Sequence, residues 1–318
     1  MNAQTERAER AGQPLLEVEG LRQHFRMSRH YTVKAVDDVS FTIHRGEIFG
    51  LVGESGSGKS TTGRSIIRLY TPTAGRIRFC GQDVSGRLTA QQTLLLRTKM
   101  QMIFQDPIAS LNPREKVIDI IAEGIDIHHM YESRAQRRDM VLAMLRKVGL
   151  APEHADRYPH QLSGGQRQRV GIARALIMKP DLIIADEAIS ALDVSIQAQV
   201  VNLLKQIQQE TGCAILFIAH DLSMVRYISD TIGVLHLGHL VELGTTQDVF
   251  EHAVHPYTRA LLSAIPRPNP LLERDRPIES YDCHVAGVDY TKGTLHHLSD
   301  THLLLATDEE RARWTRGA

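Results

Sequence analysis

One run of nine residues constrains this chain more than any other feature, and it follows the short apolar segment Ile48–Val52. It fits in full the pattern of a glycine, any four residues, and then glycine, lysine and serine or threonine. Glycines let backbone N–H groups approach the oxygens of a polyphosphate, and the helix that follows adds the positive end of its dipole. An ordinary glycine-rich turn is the alternative, but the full match and the preceding strand favour a nucleotide site. The run is Gly53, Glu54, Ser55, Gly56, Ser57, Gly58, Lys59, Ser60 and Thr61.

A second glycine-containing segment indicates which class of nucleotide-binding protein this is. It places a serine and two glycines at the predicted start of a helix, which makes this a second helix end that is suited to binding an anion. The segment resembles the signature sequence of the ATP-binding cassette (ABC) ATPases, which implies that the nucleotide is ATP. A capped helix without a ligand would be the better interpretation if the segment occurred alone. Its residues are Leu162, Ser163, Gly164, Gly165 and Gln166.

Composition excludes several classes of partner and location. Lysine plus arginine (37) equals aspartate plus glutamate (37), so no basic excess points to nucleic acid. No apolar run approaches the roughly 20 residues of a membrane-spanning helix. Residues 1–14 are too polar for a signal peptide, and we expect them to form a disordered tail. Three widely spaced cysteines, Cys80, Cys213 and Cys283, form no disulfide framework, which is typical of a reducing cytosol.

The patterns of apolar residues predict an α/β fold with two kinds of sheet. β-rich segments at residues 15–25, 33–43 and 75–80 indicate an antiparallel sheet beside the phosphate loop. Continuous apolar runs that alternate with helical stretches are typical of a parallel sheet that helices cover on both faces. These runs lie at Ile48–Val52 and at residues 102–104, 182–185, 214–219 and 231–235.

The region between residues 105 and 180 has a helical character instead. Ser133 and Gln136 predict a capping box at the start of one of its helices. We therefore divide the chain into a tail (1–14), an ABC ATPase domain (15–266) and a C-terminal extension (267–318). The ATPase domain is predicted to have a P-loop NTPase, RecA-like core with an inserted helical subdomain at about 106–180. The predicted buried face of the capped helix carries Val141, Met144, Leu145 and Val148.

Two carboxylates follow the predicted strand at residues 182–185. Asp186 is expected to hold Mg²⁺ directly or through water, together with the hydroxyl of Ser60. Glu187 is placed to orient or deprotonate the water that attacks the γ-phosphate. A solvated strand end is the alternative, which the phosphate loop upstream disfavours.

The resemblance to ABC ATPases implies roles for further residues. His220 would contact the γ-phosphate and help to hold the catalytic geometry, and Gln105 would sense Mg²⁺ and the attacking water. Asp193 ends the loop at residues 190–193 through which two ATPase subunits touch. Tyr31 lies about where the family stacks an aromatic residue on adenine, and the neighbouring His30 is an open alternative.

In this family two cassettes pack head to tail, because the signature segment cannot reach its own phosphate loop. The resemblance implies that each ATP lies between the loop carrying Lys59 of one subunit and the helix beginning at Ser163 of the other. ATP binding then closes the dimer, and hydrolysis reopens it. One departure is Ala188, which follows Glu187 where the family usually has proline. Alanine loosens that turn but leaves both carboxylates, so we expect activity to survive.

Residues 104–114 and 255–266 resemble a narrower group, the ATPases of oligopeptide and dipeptide importers, and most closely their second, F-type subunit. That resemblance implies a heterodimer with a second ABC ATPase subunit, docked on two transmembrane permease subunits at the cytoplasmic face of the membrane. An extracytoplasmic solute-binding protein would be an indirect partner. Peptides are the expected cargo, and nickel, glutathione or oligosaccharide stay open alternatives. A soluble ABC ATPase, or a regulator that binds ATP without hydrolysing it, fits the motif set less well.

The last part of the chain begins with three prolines, Pro266, Pro268 and Pro270, which predict a stiff linker. Several members of the family bind an iron–sulfur cluster through cysteines in this extension. This chain has a single cysteine there, so a four-thiolate cluster cannot form, and its spacing with histidine fits no zinc template. We expect a small β-rich appendage with surface histidines. The residues concerned are Cys283, His284, His296, His297 and His302.

Overall fold

The computed structural model describes residues 12–189, 193–265, 280–283 and 285–316, and two β-sheets form its core. The predicted proline linker, His284, residues 190–192 and most of the predicted tail therefore lie outside the described residues. The strands, in chain order, are β1 (Pro14–Arg26), β2 (Thr32–His44), β3 (Ile48–Val52), β4 (Ala74–Phe79), β5 (Gln82–Asp83), β6 (Met100–Ile103), β7 (Leu182–Asp186), β8 (Ala214–Ile218), β9 (Thr231–His236), β10 (His239–Thr245), β11 (Thr294–His297) and β12 (Leu303–Ala306).

The two sheets differ in strand direction. The smaller one is antiparallel, with the order β2-β1-β4-β5, and the larger one has the order β11-β12-β10-β9-β3-β8-β7-β6. In the larger sheet the strands from β9 to β6 pair in parallel, whereas β10, β12 and β11 are antiparallel. Every residue of β3, β7 and β8 is buried, because helices pack on one face and the antiparallel sheet packs on the other. The predicted α/β class and both predicted sheets are confirmed, with strand bounds that differ by at most two residues.

Helices surround the larger sheet and also form the insertion between β6 and β7. The helices, in chain order, are α1 (Lys59–Ile66), α2 (Ala90–Lys99), α3 (Pro107–Ser110), α4 (Val117–Ile127), α5 (Arg134–Lys147), α6 (Gly164–Leu176), α7 (Val194–Thr211), α8 (Leu222–Ile228), α9 (Thr246–Glu251), α10 (Pro256–Ser263) and α11 (Asp308–Thr315). The insertion contains α3 to α6 and two short 3₁₀ helices, Pro152–Asp156 and Pro159–Gln161, which confirms its predicted helical character. Among the described helices, none combines the length and the apolar character that crossing a bilayer requires.

The start of α5 shows half of the predicted capping box. Ser133 Oγ accepts the N–H of Gln136 at 3.2 Å, as expected. The side chain of Gln136, however, accepts the N–H of Glu132 at 2.5 Å rather than that of Ser133, so the cap begins one residue earlier. The predicted buried face is confirmed except that Met144 is only half-buried; its buried members are Val141, Leu145 and Val148.

The C-terminal segment adds a hairpin to the larger sheet. β12 pairs antiparallel with β10, and β11 pairs with β12, so the predicted strands are present, but the helix α11 contains as many residues as the two strands together. The expectation of surface histidines is wrong for His302, which is buried with its Nε2 2.8 Å from Glu242 Oε1. Glu242 is also buried, and a buried carboxylate needs hydrogen-bond donors around it. It also accepts the N–H of Val254 at 2.8 Å.

A buried aromatic cluster joins the C-terminal segment to the end of β9. His236 stacks on Tyr257 of α10 with ring centroids 3.9 Å apart, and its Nδ1 lies 2.6 Å from the hydroxyl of Tyr290. Burial lowers the pKa of His236 to about 4 and that of His255 to about 3, so both rings are neutral at pH 7. The aromatic cluster consists of His236, His255, Tyr257, Tyr281, Tyr290 and Trp314.

We expect acid to destabilise the fold through His236 and His255. In the unfolded chain each imidazole takes up a proton near pH 6.5, whereas in the folded chain it does so only near pH 4 or pH 3. The unfolded state therefore binds more protons in this window, and the free energy of unfolding falls as the pH drops from about 6.5 to about 4. By pH 5 each histidine should account for a loss of roughly 2 kcal/mol.

Urea unfolding at pH 7.5 and pH 5.0 measures this loss. His236→Phe keeps a ring on Tyr257 but cannot titrate, so the loss between the two pH values should shrink by roughly 2 kcal/mol in that variant. The same pH dependence in the variant and in the unmodified protein would contradict the role assigned to His236.

Candidate active site

The phosphate loop lies between the end of β3 and the start of α1, and close backbone contacts require its glycines. Gly53 has a φ of 148°, and Gly58, the N-cap of α1, has a φ of 104°. A Cβ at Gly53 would lie 2.1 Å from the carbonyl oxygen of Leu235, and one at Gly58 would lie 2.2 Å from that of Ala35. Because no side chain fits these distances, the loop is wedged between β2 and β9.

Lys59 occupies the inside of this loop. It is only 3% exposed, and its Nζ donates hydrogen bonds to the carbonyl oxygens of Gly53 at 2.8 Å and Glu54 at 2.7 Å. Burial lowers the pKa of Lys59, and the nearby carboxylates of Glu187 and Asp186 oppose that shift. A triphosphate entering the loop would offer the ammonium charge-assisted partners that are stronger than these carbonyls.

Asp186 ends β7 as a fully buried carboxylate. Its Oδ1 accepts a hydrogen bond from the Ser60 hydroxyl at 2.6 Å, and its Oδ2 lies 3.3 Å from Nη2 of Arg64. Ser60 and Arg64 both belong to α1, so the phosphate loop and the acidic strand end form one site. Arg64 is not among the predicted site residues, although its spacing from Ser60 places both residues on one helix face.

Gln105 and Glu187 are in direct contact. They follow the ends of β6 and β7, which are parallel neighbours, so their side chains meet at the same sheet edge. Gln105 Nε2 donates a hydrogen bond to Glu187 Oε2 at 2.8 Å. Glu187 has a φ of 46°, in the left-handed region that residues with side chains rarely adopt. Such strain persists only where the surroundings impose it, and here the N–H of Glu187 bonds to the carbonyl of Ile218 while Ala188 is buried.

His220 lies at the same edge of the sheet. It follows β8, which stands between β3 and β7 in the strand order, and its side chain is exposed. The next residue, Asp221, caps α8 by accepting the N–H groups of Ser223 at 2.8 Å and Met224 at 3.4 Å. This cap fixes the turn that carries His220.

The signature segment forms the start of α6, in the inserted helical region rather than beside its own phosphate loop. Ser163 is the N-cap: its Oγ accepts the N–H of Gln166 at 3.3 Å, and Gln166 Oε1 accepts the N–H of Ser163 at 2.9 Å. Ser163 and Gly164 are both exposed. Packing requires Gly165, because a Cβ there would lie 2.8 Å from Cγ2 of Ile196. The segment is therefore an outward-facing helix end suited to an anion.

Both candidates for adenine stacking are exposed. Tyr31 and His30 lie in the turn between β1 and β2, and Tyr31 is 62% exposed. The carbonyl of Tyr31 accepts the N–H groups of Met27 and Ser28, which closes that turn. Asp193, expected at the subunit contact, is exposed at the N-cap of α7.

A contact from the C-terminal part of the chain also reaches the phosphate loop. The hydroxyl of Tyr257, a residue that is 1% exposed, accepts the backbone N–H of Glu54 at 2.9 Å. This contact could not be predicted from the sequence, because the two residues lie 203 positions apart and share no local pattern.

Comparisons with known proteins agree with this geometry. The chain matches a family model described as ABC transporter over residues 36–190 and one described as Oligopeptide/dipeptide transporter, C-terminal region, over residues 241–285. The oligopeptide transport ATP-binding protein OppF of Bacillus subtilis (strain 168) is 57% identical over 297 residues, which are 93% of this chain and 97% of that protein. The dipeptide transport ATP-binding protein DppF of Lactococcus lactis subsp. cremoris (strain MG1363) is 49% identical over 306 residues, 96% and 97% of the two chains.

Solved structures show the same fold. A dimeric post-hydrolysis state of the ATP-binding cassette MJ0796 bound to ADP and Pi is similar with a TM-score of 0.67 and 28% identity. The similarity covers 73% of this chain and 99% of that chain. The predicted resemblance is thereby confirmed: the chain belongs to the ATP-binding, ATP-hydrolysing subunits of ABC transporters, in the oligopeptide/dipeptide group.

Proposed function

We propose that this protein hydrolyses ATP to drive the import of peptides through a membrane transporter. The observation that carries the proposal is the presence, in one chain, of a nucleotide site and of a C-terminal region of the oligopeptide/dipeptide type at residues 241–285. The two relatives described above are named as oligopeptide and dipeptide transport ATP-binding proteins, and each matches nearly the whole chain. Peptides are therefore the cargo that we propose.

In the proposed reaction, Glu187 accepts a proton from the attacking water. Its hydrogen bond to Gln105 holds one oxygen of the carboxylate in place at this sheet edge. His220, at the same sheet edge, is assigned to the γ-phosphate. Lys59 and backbone N–H groups of residues 55–61 bind the phosphates, whose charge they offset.

Mg²⁺ fits the oxygen atoms at the end of β7. The Ser60 hydroxyl and the Asp186 carboxylate lie 2.6 Å apart, and Mg²⁺ prefers such oxygen ligands beside a phosphate. Ser60 and Asp186 are the residues that would hold the ion, with Gln105 as a further oxygen ligand. When bound there, Mg²⁺ would neutralise part of the charge of the phosphates.

A second ABC ATPase subunit is proposed to complete the site. Ser163 and Gly164 are exposed at the start of α6, so this helix end is open to a nucleotide held by another chain. Asp193 is exposed where the resemblance places the contact between the subunits. The similar solved cassette is described as dimeric. Because the resemblance is to the second of two importer ATPases, we propose a heterodimer.

A groove of about 900 Å³ between the core and the inserted helices is the proposed docking place for permease subunits. Gln105 lies on its wall and also bonds to Glu187, so an occupant of the groove would touch the residue that holds the proposed base. Docking there would bring the protein to the cytoplasmic face of the membrane. The lining residues include Arg64, Ile67, Leu96, Phe104, Gln105, Ile127, Arg174 and Met178.

The variant Ile127→Glu tests this docking place and the proposed function together. Ile127 lines the groove and is 64% exposed, so a carboxylate there should leave the fold intact but repel an apolar segment of a partner. We expect assembly with the permease subunits to weaken by roughly 10-fold or more. In vesicles that contain the whole transporter, peptide uptake and peptide-stimulated ATP hydrolysis should fall, while ATP binding by the separate protein stays unchanged.

The matched control is Tyr227→Glu, which introduces the same charge in place of an exposed aromatic side chain of α8, outside the groove. It should transport peptide normally. Normal assembly and uptake with Ile127→Glu would contradict the docking place. A complete unmodified transporter that moves no peptide would instead contradict the proposed cargo.

A further inference from the structure

We propose that Tyr257 is a positioning residue for the phosphate loop: its hydroxyl sets the orientation of the peptide bond between Gly53 and Glu54, and thereby the place of the Lys59 ammonium. Tyr257 lies in α10, within the region that matches the oligopeptide/dipeptide C-terminal model. The inference thus gives this C-terminal region a direct part in nucleotide binding. It depends on residues 53–61 being the nucleotide site.

The peptide bond between Gly53 and Glu54 is held from both sides. Its carbonyl oxygen accepts a hydrogen bond from Lys59 Nζ at 2.8 Å, and its N–H donates to the Tyr257 hydroxyl at 2.9 Å. In a trans peptide unit, the C=O and the N–H lie in one plane and point in opposite directions. Because a partner on each side holds one of these groups, the plane has a single orientation.

Without the tyrosine, little in the loop would impose that orientation. Gly53 has no side chain and a φ of 148°, so rotation of the neighbouring peptide meets no Cβ. Without the hydroxyl, the N–H of Glu54 would lose the acceptor to which it donates. A rotated peptide would also withdraw the Gly53 carbonyl from Lys59, whose ammonium would then lose one of its two closest oxygen partners.

Tyr257 is itself held firmly enough to act as a fixed support. It is 1% exposed and stacks on His236 with ring centroids 3.9 Å apart at an angle of 28°. Its own N–H donates to the side chain of His255 at 3.1 Å, at the start of α10. Burial raises the pKa of Tyr257 to about 12, so the hydroxyl stays neutral at physiological pH.

The variant Tyr257→Phe tests the proposal, because it keeps the ring on His236 and removes only the hydroxyl. We expect the loop to lose preorganisation, so that the full-length protein binds both MgADP and MgATP at least about fivefold more weakly. Nucleotide bound to the loop should restore the peptide orientation. The KM for ATP should therefore rise while kcat changes by less than about twofold.

The matched control is Tyr290→Phe, which also removes a buried hydroxyl from the aromatic cluster. That hydroxyl lies 2.6 Å from Nδ1 of His236 and 3.3 Å from the hydroxyl of Tyr281. Thermal unfolding should show comparable losses of stability for the two variants. If Tyr257 had only a structural role, Tyr257→Phe and Tyr290→Phe would also have similar nucleotide affinities. We expect instead that Tyr290→Phe binds nucleotide like the unmodified protein.

Two results would overturn the inference: unchanged or tighter nucleotide binding by Tyr257→Phe, or equal weakening in both variants. Loss of binding in Lys59→Met combined with normal binding in Tyr257→Phe would overturn this inference alone and leave the nucleotide site in place. Amide exchange measured by NMR on the unmodified nucleotide-free protein gives a second test that needs no variant. The Glu54 amide should exchange slowly, and exchange at the rate of an open chain would overturn the proposal.

Discussion

Replacing Glu187 with glutamine is expected to lower steady-state ATP hydrolysis by roughly 10²- to 10⁴-fold while ATP still binds. The carboxamide keeps the shape of the side chain and its contact with Gln105, but it cannot take a proton from water. Because the γ-phosphate stays attached, the protein and its partner cassette should accumulate as a closed dimer. Phosphate release at saturating MgATP measures the first effect, and size-exclusion chromatography with ATP measures the second.

Glu210→Gln is the matched control for this variant. It makes the same chemical change at an exposed position of α7 that pairs with Lys147, away from the nucleotide loop. Its hydrolysis rate should equal that of the unmodified protein. Retained turnover in Glu187→Gln would remove Glu187 from the role of base.

Lys59→Met is expected to weaken MgATP binding by at least about 100-fold, because it removes the only side-chain ammonium that the loop itself contributes. Methionine keeps much of the apolar stem, and the fold loses a buried charge whose desolvation is costly. The melting temperature of the nucleotide-free protein should therefore change little, because the loss of the hydrogen bonds to the carbonyl oxygens of Gly53 and Glu54 opposes that gain. Calorimetric titration with MgATP and thermal unfolding measure the two effects.

The control for the loss of one positive charge is Lys205→Met. This change removes an ammonium of α7 that lies over the ring of Tyr227. It should bind MgATP normally. A dissociation constant for Lys59→Met within a few-fold of that of Lys205→Met would contradict the place given to Lys59 in the site.

Much of the fold could be predicted because the central strands are buried on both faces. That environment selects unbroken apolar runs such as Ile48–Val52, and a run of this kind is visible without knowledge of its neighbours. The neighbours of Asp186 and Glu187 could also be predicted, since parallel strands bring their carboxyl ends to one edge of the sheet. The contact between Gln105 and Glu187 follows from that geometry once β6 lies beside β7.

The features that escaped prediction depend on partners distant in the chain. His302 was expected at the surface because a histidine near polar residues gives no sign of burial, and its partner Glu242 lies 60 positions away. The side chain of Gln136 accepts the N–H of Glu132 rather than that of Ser133. The capping pattern does not distinguish between these two adjacent donors. The contact between Tyr257 and Glu54 could not be predicted either, because the two residues lie 203 positions apart and no local pattern connects them.

The hairpin of β11 and β12 has a consequence for synthesis of the chain. β10 is synthesised long before β12. Until β12 is made, Glu242 and Leu243 lack the strand with which they pair. During that interval the outermost strand of a large sheet can template the pairing of another nascent polypeptide, which is a route to aggregation. Once the hairpin forms, β12 pairs with β10, and the outermost strand is then β11. Its four residues are too few to recruit a neighbouring chain efficiently.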